Sequence, residues 1–512
     1  MRLSPWIIGV LFVLLLQTML VAQQSVNTQQ FLEKPYSTRL SYETIAVSTA
    51  ESMGLMGVQL ELNNFLRENY YLGIGGFGAI EGDRGGFFTA GITPGIRHAI
   101  SARLITDIGL FLGGGGGASA FPGDGLMLRG HGYLGYKLLK SHVWTGVAWN
   151  QISSKDLGLQ WSVALSRQLS ILLKDPQPVI TTKIPNSAIA NLKKTALQLE
   201  IAQLLYLPTA KYQGRNNSSI GDTISLLHLQ IEKQWVADWQ AVMSLSGANG
   251  DGADGYGSIL LGLGYSKHYQ RWSWYKQLKL GMAGGGNIDT GGGLMINSLL
   301  GCRVKLFNQW WGSSSIGYLD AYDGKFSAWN ITTGLTYFFY QHHYMNKGEE
   351  ISKKQLVSTQ KTQTFQWFIE NKTVIPKHSL TTKGGDTYEE TIQFFGCGAK
   401  LPLRSNIDVL VATYWAYDGN VGAYAEGDIG LSFQRSISKS WTTGVDVSIG
   451  AAGGGGIDVN QGTIHQETLM LAYQLKRQTK LVTKAGWQGA FSSDGFQGPV
   501  VIVGLERLVE FL

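Results

Sequence analysis

Three runs of glycine are the first residues whose type and spacing suggest chemistry. Gly113 to Gly117, Gly284 to Gly286 and Gly453 to Gly456 each follow an apolar stretch: Ile108-Gly109-Leu110-Phe111-Leu112, Leu280-Gly281-Met282-Ala283 and Ile449-Gly450-Ala451-Ala452. A glycine loop cradles phosphate when Gly-Lys-Ser/Thr follows and a helix lends its N-terminus. Neither follows here, so the runs are expected to serve structure at strand ends. The acidic loops Asp251-Gly252-Ala253-Asp254 and Ile288-Asp289, repeated as Ile457-Asp458, raise the question of calcium. Their spacing does not match an EF-hand loop. Asp and Gly suit tight hairpins, which is the expected role. The nine histidines are scattered, with no His-x-x-x-His pair. Cys302 and Cys397 form neither a disulfide framework nor a metal spacing. No catalytic set, metal or cofactor is expected. Glu61, Arg97, Arg103, Asp107, Arg129 and Lys137, with His131, fall on the polar side of alternating segments. They would either line a conduction path or close into a salt-bridge network. For the first copy the network is expected, with His131 as a satisfied interior histidine.

The elements that must position these residues repeat. The glycine runs begin at 113, 284 and 453, steps of 171 and 169 residues. Leu165, Leu335 and Leu505 close a Val/Thr-Ala/Gly-Leu motif at steps of 170, and Trp149, Tyr318 and Trp487 recur at steps of 169. Glu200 and Glu370 match each other, with Glu43 as their partner in the first copy. Such a period marks three copies of one unit. Boundaries are expected at 37–173, 195–340 and 364–512. The intervening stretches, 174–194 and 341–363, carry Pro176, Pro178, Pro185, Lys353 and Lys354 and read as linkers.

Within each copy apolar residues alternate with polar ones at period two, the mark of strands. Val58, Leu60 and Leu62 share one face, and Gln59, Glu61 and Asn63 the other. Leu157, Leu159, Trp161, Val163 and Leu165 form the apolar face of a later segment. Eight segments per copy give 24 strands at about 20 residues each, which suits membrane-spanning strands of about 10 residues. The chain carries 67 glycines, 15 tryptophans and 15% charged residues, too apolar for disorder and too glycine-rich for a helical protein. The net charge of +6 is spread through turns and linkers, and no basic stripe marks a nucleic-acid partner. Residues 1–23 read as a secretory signal: Arg2, an apolar core from Trp6 to Val21, and a cleavage site around Val21-Ala22-Gln23. No further apolar stretch is long enough for a spanning helix.

Short basic turns, such as Arg67-Glu68-Asn69 and Arg404-Ser405-Asn406, alternate with longer Gly/Asp loops such as Glu81 to Gly85. A polar face poor in charge would starve a solvated surface but suits a lumen. With an apolar face ending at Val501, Val503, Leu505, Val509 and Phe511, the chain resembles Gram-negative outer-membrane β-barrels. The resemblance implies an all-β, antiparallel transmembrane barrel, exported to the outer membrane with its lipid as partner. Trp149, Tyr318 and Trp487 near loops, and Trp310 and Trp311 near short turns, are expected in interfacial belts. Closed β structure is required, because an open edge in lipid leaves backbone groups unpaired. The 24 strands are expected either as three tandem small barrels or as one large barrel. The long linkers, and the absence of a plug domain, favour three. The expected function is non-enzymatic, structural or surface-binding through the Gly/Asp loops, with an unidentified surface ligand or partner. A channel or porin is the second reading. An embedded lipid hydrolase, with Ser and His on adjacent strands, is the third; its short signatures are missing.

Overall fold

Strong period-two alternation, broken by Gly, Asn and Asp turns, makes sheets with one apolar and one polar face. A computed structural model of the chain describes residues 29–511, apart from 49–50, 65–66, 118–122, 140, 175–191, 210–213, 216–219, 251–252, 254, 345–355, 359–362, 378–381, 383–386, 460–461 and 492–495. The signal segment and most of the acidic loop at 251–254 lie outside the described residues.

The first eight strands are β1 (Gln29–Ala46), β2 (Ser52–Asn63), β3 (Tyr70–Gly82), β4 (Phe88–Ala99), β5 (Leu104–Gly116), β6 (Met127–Leu138), β7 (Ser141–Ile152) and β8 (Lys155–Lys174). The next eight are β9 (Leu192–Pro208), β10 (Ile224–Val236), β11 (Trp239–Ala248), β12 (Gly257–His268), β13 (Trp272–Gly284), β14 (Leu294–Phe307), β15 (Trp310–Ala321) and β16 (Ser327–Tyr344). A three-residue strand, β17 (Leu356–Ser358), precedes the last eight. These are β18 (Gln363–Val374), β19 (Ile392–Arg404), β20 (Ile407–Asp418), β21 (Ala425–Ser436), β22 (Trp441–Gly453), β23 (Thr463–Lys476), β24 (Thr479–Ala490) and β25 (Gln497–Phe511).

Each set of eight closes on itself. β1 pairs with β8 from Phe31↔Lys174 to Glu43↔Ser162. β9 pairs with β16 through seventeen residue pairs, from Ala328↔Pro208 to Tyr344↔Leu192. β18 pairs with β25 from Gln363↔Phe511 to Val374↔Val500. The chain is therefore three antiparallel eight-stranded barrels, and the single large barrel is set aside. The strands reach beyond the expected boundaries. β1 starts at Gln29, β9 at Leu192, and β16 runs to Tyr344. Residues such as Lys193, Lys194, His342 and His343 are polar enough to read as linker, yet their backbones still pair across the seam of the barrel. Part of the second expected linker is β17, which pairs with Gln29–Phe31 of β1.

One face assignment changes. The register of β7 against β8 steps from Asn150↔Gly158 to Gln151↔Asp156, leaving Leu157 as an extra residue beside Gly158 at φ +73°. This is a β-bulge, and it turns the side chain of Leu157 inward. Leu157 is buried in the core with Phe77 and Phe111, while Leu159, Trp161 and Val163 stay on the outer face.

An eight-stranded barrel has room inside only for its own side chains. Each barrel is filled in two tiers. At the loop end lies an apolar plug, such as Phe77, Phe87 and Phe111 in the first barrel. Loop residues fold back into it: Ile288 and Phe326 in the second barrel, Ile457 and Phe496 in the third. The isoleucines are those of the repeated Ile-Asp pair, so that motif plugs a barrel mouth. Its aspartate does turn work, since Asp289 Oδ1 accepts from the Gly291 amide at 3.2 Å. Below the plug lies a tier of ion pairs.

Candidate functional site

The polar tier is built from residues that alternate inward on neighbouring strands. In the first barrel, Arg39 on β1 holds Nε 2.9 Å from Glu61 as an ion pair and donates from Nη2 to Asp107. Arg97 on β4 reaches the same two carboxylates, with Nε 2.8 Å from Asp107. The Tyr71 hydroxyl donates to Asp107 at 2.8 Å, and His131 Nε2 lies 3.1 Å from it. Arg129 on β6 forms a fork with Glu43, at 2.9 and 2.6 Å, and also donates to the Tyr133 hydroxyl at 2.7 Å. Asn150 completes the shell of Glu43 at 3.0 Å. A charge in a dry interior needs this degree of pairing.

Five of the seven sequence-level candidates meet in this network: Glu61, Arg97, Asp107, Arg129 and His131. Arg103 does not. It is exposed in the turn between β4 and β5, with Nη1 3.2 Å from the Tyr136 hydroxyl. Lys137 follows the inward alternation but lies past the last filled layer, exposed at the mouth. Arg39 and Glu43 carry the network equally and were missed as candidates. The signal was present in Ser37, Arg39, Ser41 and Glu43, four inward residues on one alternating strand.

The other barrels repeat the scheme with different partners. In the second, Arg303 on β14 contacts Glu200 at 3.1 Å and Glu232, above the ring of Tyr275. In the third, Lys484 on β24 lies 2.5 Å from Glu370 and 3.1 Å from Asp446, and Lys400 joins Glu506 to Asp446. The matched carboxylates Glu43, Glu200 and Glu370 each sit on the first strand of their barrel and each meet a cation from its sixth or seventh strand.

The glycine runs have a second role, as contacts between barrels. The fifth strand of each barrel meets the third strand of another: β5 lies on β20, β13 on β3, and β22 on β11. One pair of patches used three times closes a pseudo-threefold ring. At these seams backbone touches backbone. A Cβ at Gly114 would stand 2.6 Å from the Ala416 carbonyl oxygen, and one at Gly284 would stand 2.7 Å from Gly86 Cα. The Ala423 amide donates across to the Gly115 carbonyl at 2.9 Å, and Gly422 to Gly123 at 2.8 Å. Arg215 Nη2 donates to the Gly85 carbonyl at 2.6 Å, and the Thr463 hydroxyl to the Asn249 carbonyl at 2.7 Å. Between the seams, Met56 and Phe88 of the first barrel pack with Met282 of the second and Trp415 of the third.

Gly284→Val is accordingly expected to weaken the joint between the first two barrels by roughly 1–3 kcal/mol, the usual cost of overpacking. Gly132→Val is the control, because nothing lies within 4 Å of a Cβ there. The temperature at which the compact gel band is lost should fall for the first variant only. Equal behaviour would mean that the seam opens freely.

The tryptophans divide. Tyr318 and Trp487 face outward and are exposed, and Trp149 is half-buried with Nε1 donating to Asp156 at 2.9 Å. Trp310 and Trp311 do not sit in an exposed belt, because both are buried. Trp310 packs with Tyr337, Phe339 and Leu401 where the second and third barrels touch. Trp311 alternates inward and lies against Phe338 at 5.0 Å.

A His–Ser pair that the sequence reading passed over lies in the second barrel, His228 Nδ1 being 2.8 Å from Ser246 Oγ. His131 has Asp107, Arg39, Tyr71 and Arg129 as partners and no serine.

No family model and no curated protein matches this chain. Among solved structures it is similar to the siderophore receptor PirA from Pseudomonas aeruginosa at 8% identity and a TM-score of 0.28, covering 96% of this chain and 81% of the receptor. It is similar to a mutant of the ferric enterobactin receptor PfeA from the same organism at 9% identity and a TM-score of 0.29, covering 93% and 80%. Against the NanC porin the identity is 7% and the TM-score 0.16, covering 60% of this chain and 98% of the porin.

Proposed function

We propose that the chain is an integral outer-membrane protein of a Gram-negative bacterium, non-enzymatic and non-conducting. In this reading three filled barrels form a scaffold that presents Gly/Asp loops to a surface ligand or partner. The observation that carries the reading is an inside-out distribution of polarity. Leu159 is 69% exposed, Trp161 68% and Leu469 70%, all on outer faces, while Arg129, Arg303 and Lys372 are at most 2% exposed inside. Water would penalise so continuous an apolar exterior. Lipid would accept it, and closed barrels leave no unpaired edge there. The signal segment at 1–23 supplies the route of export, and Trp149, Tyr318 and Trp487 the interfacial ring.

Non-conduction rests on the ion-pair tier, which occupies the cross-section of each barrel. An embedded lipid hydrolase is disfavoured because His228 and Ser246 both alternate inward, away from a bilayer acyl chain. Two measurements test the proposal. The protein is expected to resist extraction by carbonate and to migrate faster on gels when unheated. In planar bilayers it should give no stable conductance steps. Recovery in the soluble periplasmic fraction would end the membrane reading, and reproducible steps from purified protein would move the assignment to a channel.

A further inference from the structure

We infer that the third barrel binds one small hard cation at Asp428. The inference begins from charge balance among the interior groups. In the first barrel Glu43, Glu61 and Asp107 face Arg39, Arg129 and the half-buried Arg97, three against three. In the second, Glu200 and Glu232 face Lys279 and Arg303, two against two. In the third, Glu370, Glu426, Asp428, Asp446, Glu506 and the half-buried Asp408 face Lys372, Lys400, Lys484 and the half-buried Lys480. Six carboxylates meet four ammonium groups, and two negative charges are left over. A dry interior tolerates such an excess only if something neutralises it.

The excess has an address. Asp428 on β21 is 2% exposed, and neither carboxylate oxygen has a hydrogen-bond partner. Its neighbours across the sheet are Ala412 on β20 and Gly450 on β22, which offer no side-chain donor. The missing side chain of Gly450 makes the room, since a Cβ there would collide with Asp428 Oδ1. The nearby ammonium groups are committed elsewhere, Lys372 to Glu426 and Lys484 to Glu370 and Asp446. The second barrel has Leu260 at the equivalent place, opposite Gly281. An acid there is therefore not demanded by the barrel itself.

The surroundings favour a cation over a polar partner. Within the same barrel, Gln466 Oε1, Thr468 Oγ1 and Gln488 Oε1 are also buried without partners. A carboxylate with neutral oxygens is the donor set of a hard cation such as Na⁺ or Ca²⁺, not of a thiolate-loving or imidazole-loving metal. Among the described residues no three His, Cys, Asp or Glu side chains converge on one point. The ion would then rest on one carboxylate, its remaining donors being neutral oxygens or water.

The test uses the full-length protein in detergent, stripped with a chelator and divided among CaCl₂, NaCl and choline chloride at matched ionic strength. Either Ca²⁺ or Na⁺ should raise the unfolding midpoint by a few degrees over choline, as ligand linkage requires. The arm that responds identifies the valence. Asp428→Asn and Asp428→Leu should abolish the response while the compact gel band persists. A wild-type protein indifferent to both ions would overturn the inference and leave Asp428 holding a proton. So would an Asp428→Leu variant that keeps the cation response, since the ion would then sit elsewhere. The measurement is made in detergent, so its result is independent of where the protein resides in the cell.

Discussion

Arg129→Met should lower the stability of the first barrel by about 3–5 kcal/mol, the cost of breaking a buried ion pair from one side. Methionine keeps much of the volume and the contact with Phe77, over whose ring the guanidinium lies at 4.8 Å. The loss is electrostatic. Glu43 would retain the Asn150 amide at 3.0 Å but no cation, in a site where it is 2% exposed. The double variant Glu43→Gln with Arg129→Met removes both charges and should recover most of the loss. Replacing both members of a buried pair is often neutral, whereas stranding one is not. The readout is the temperature at which the compact band disappears, compared across the four members of the cycle. A single variant as stable as the wild type would mean that water solvates Glu43. The interior would then be an open path, and the filled-barrel reading would fail together with non-conduction.

The architecture was largely legible because barrel strands write their faces into alternate residues. Val58, Leu60 and Leu62 opposite Gln59 and Glu61 are found as read. Repetition did the rest, since three equal periods leave few topologies. Strand ends were harder to read. β9 and β16 continue through Lys193 and His343 because backbone pairing does not depend on apolar side chains there. Leu157 was misplaced because one bulge at Gly158 shifts the alternation without altering composition. The interior network was half legible. Polar residues on the right face can be listed, but which cation meets which carboxylate depends on barrel curvature. Arg103 and Lys137 show the same limit: alternation gives the face, and only depth along the strand says whether the side chain is inside or at the mouth. The seams were invisible, though their signal was not. Glycine runs at one strand position in all three copies exceed what a strand end requires. What they accommodate is another backbone, and no single barrel contains it. Trp310 illustrates the converse, a ring placed by sequence at a membrane interface and by structure between two barrels.

The outer face offers the second large effect, and it depends on depth. Leu469 lies at the middle of β23 and is 70% exposed. Its lateral partners are Val445 and Ala485, and the one charge beside it along the strand, Glu467, is already held by His465 at 2.8 Å. Leu475 lies on the same strand, six residues on and 50% exposed, beyond the rings of Trp441 and Tyr473, which meet at 57°. If the outer face meets lipid, arginine at the first position stands near the bilayer midplane and at the second near its boundary. Arginine costs roughly 2–4 kcal/mol at the midplane of a barrel and about 0–1 near the interface. Leu469→Arg should therefore block assembly or strongly lower the folded yield in membranes, while Leu475→Arg should assemble almost normally. In detergent, where a micelle can deform around the charge, the gap between the two should shrink. The gradient is the discriminating quantity. An arginine that is tolerated equally at both positions would show that no apolar slab surrounds β23. The inside-out polarity would then need another explanation, such as burial of that face against a partner protein.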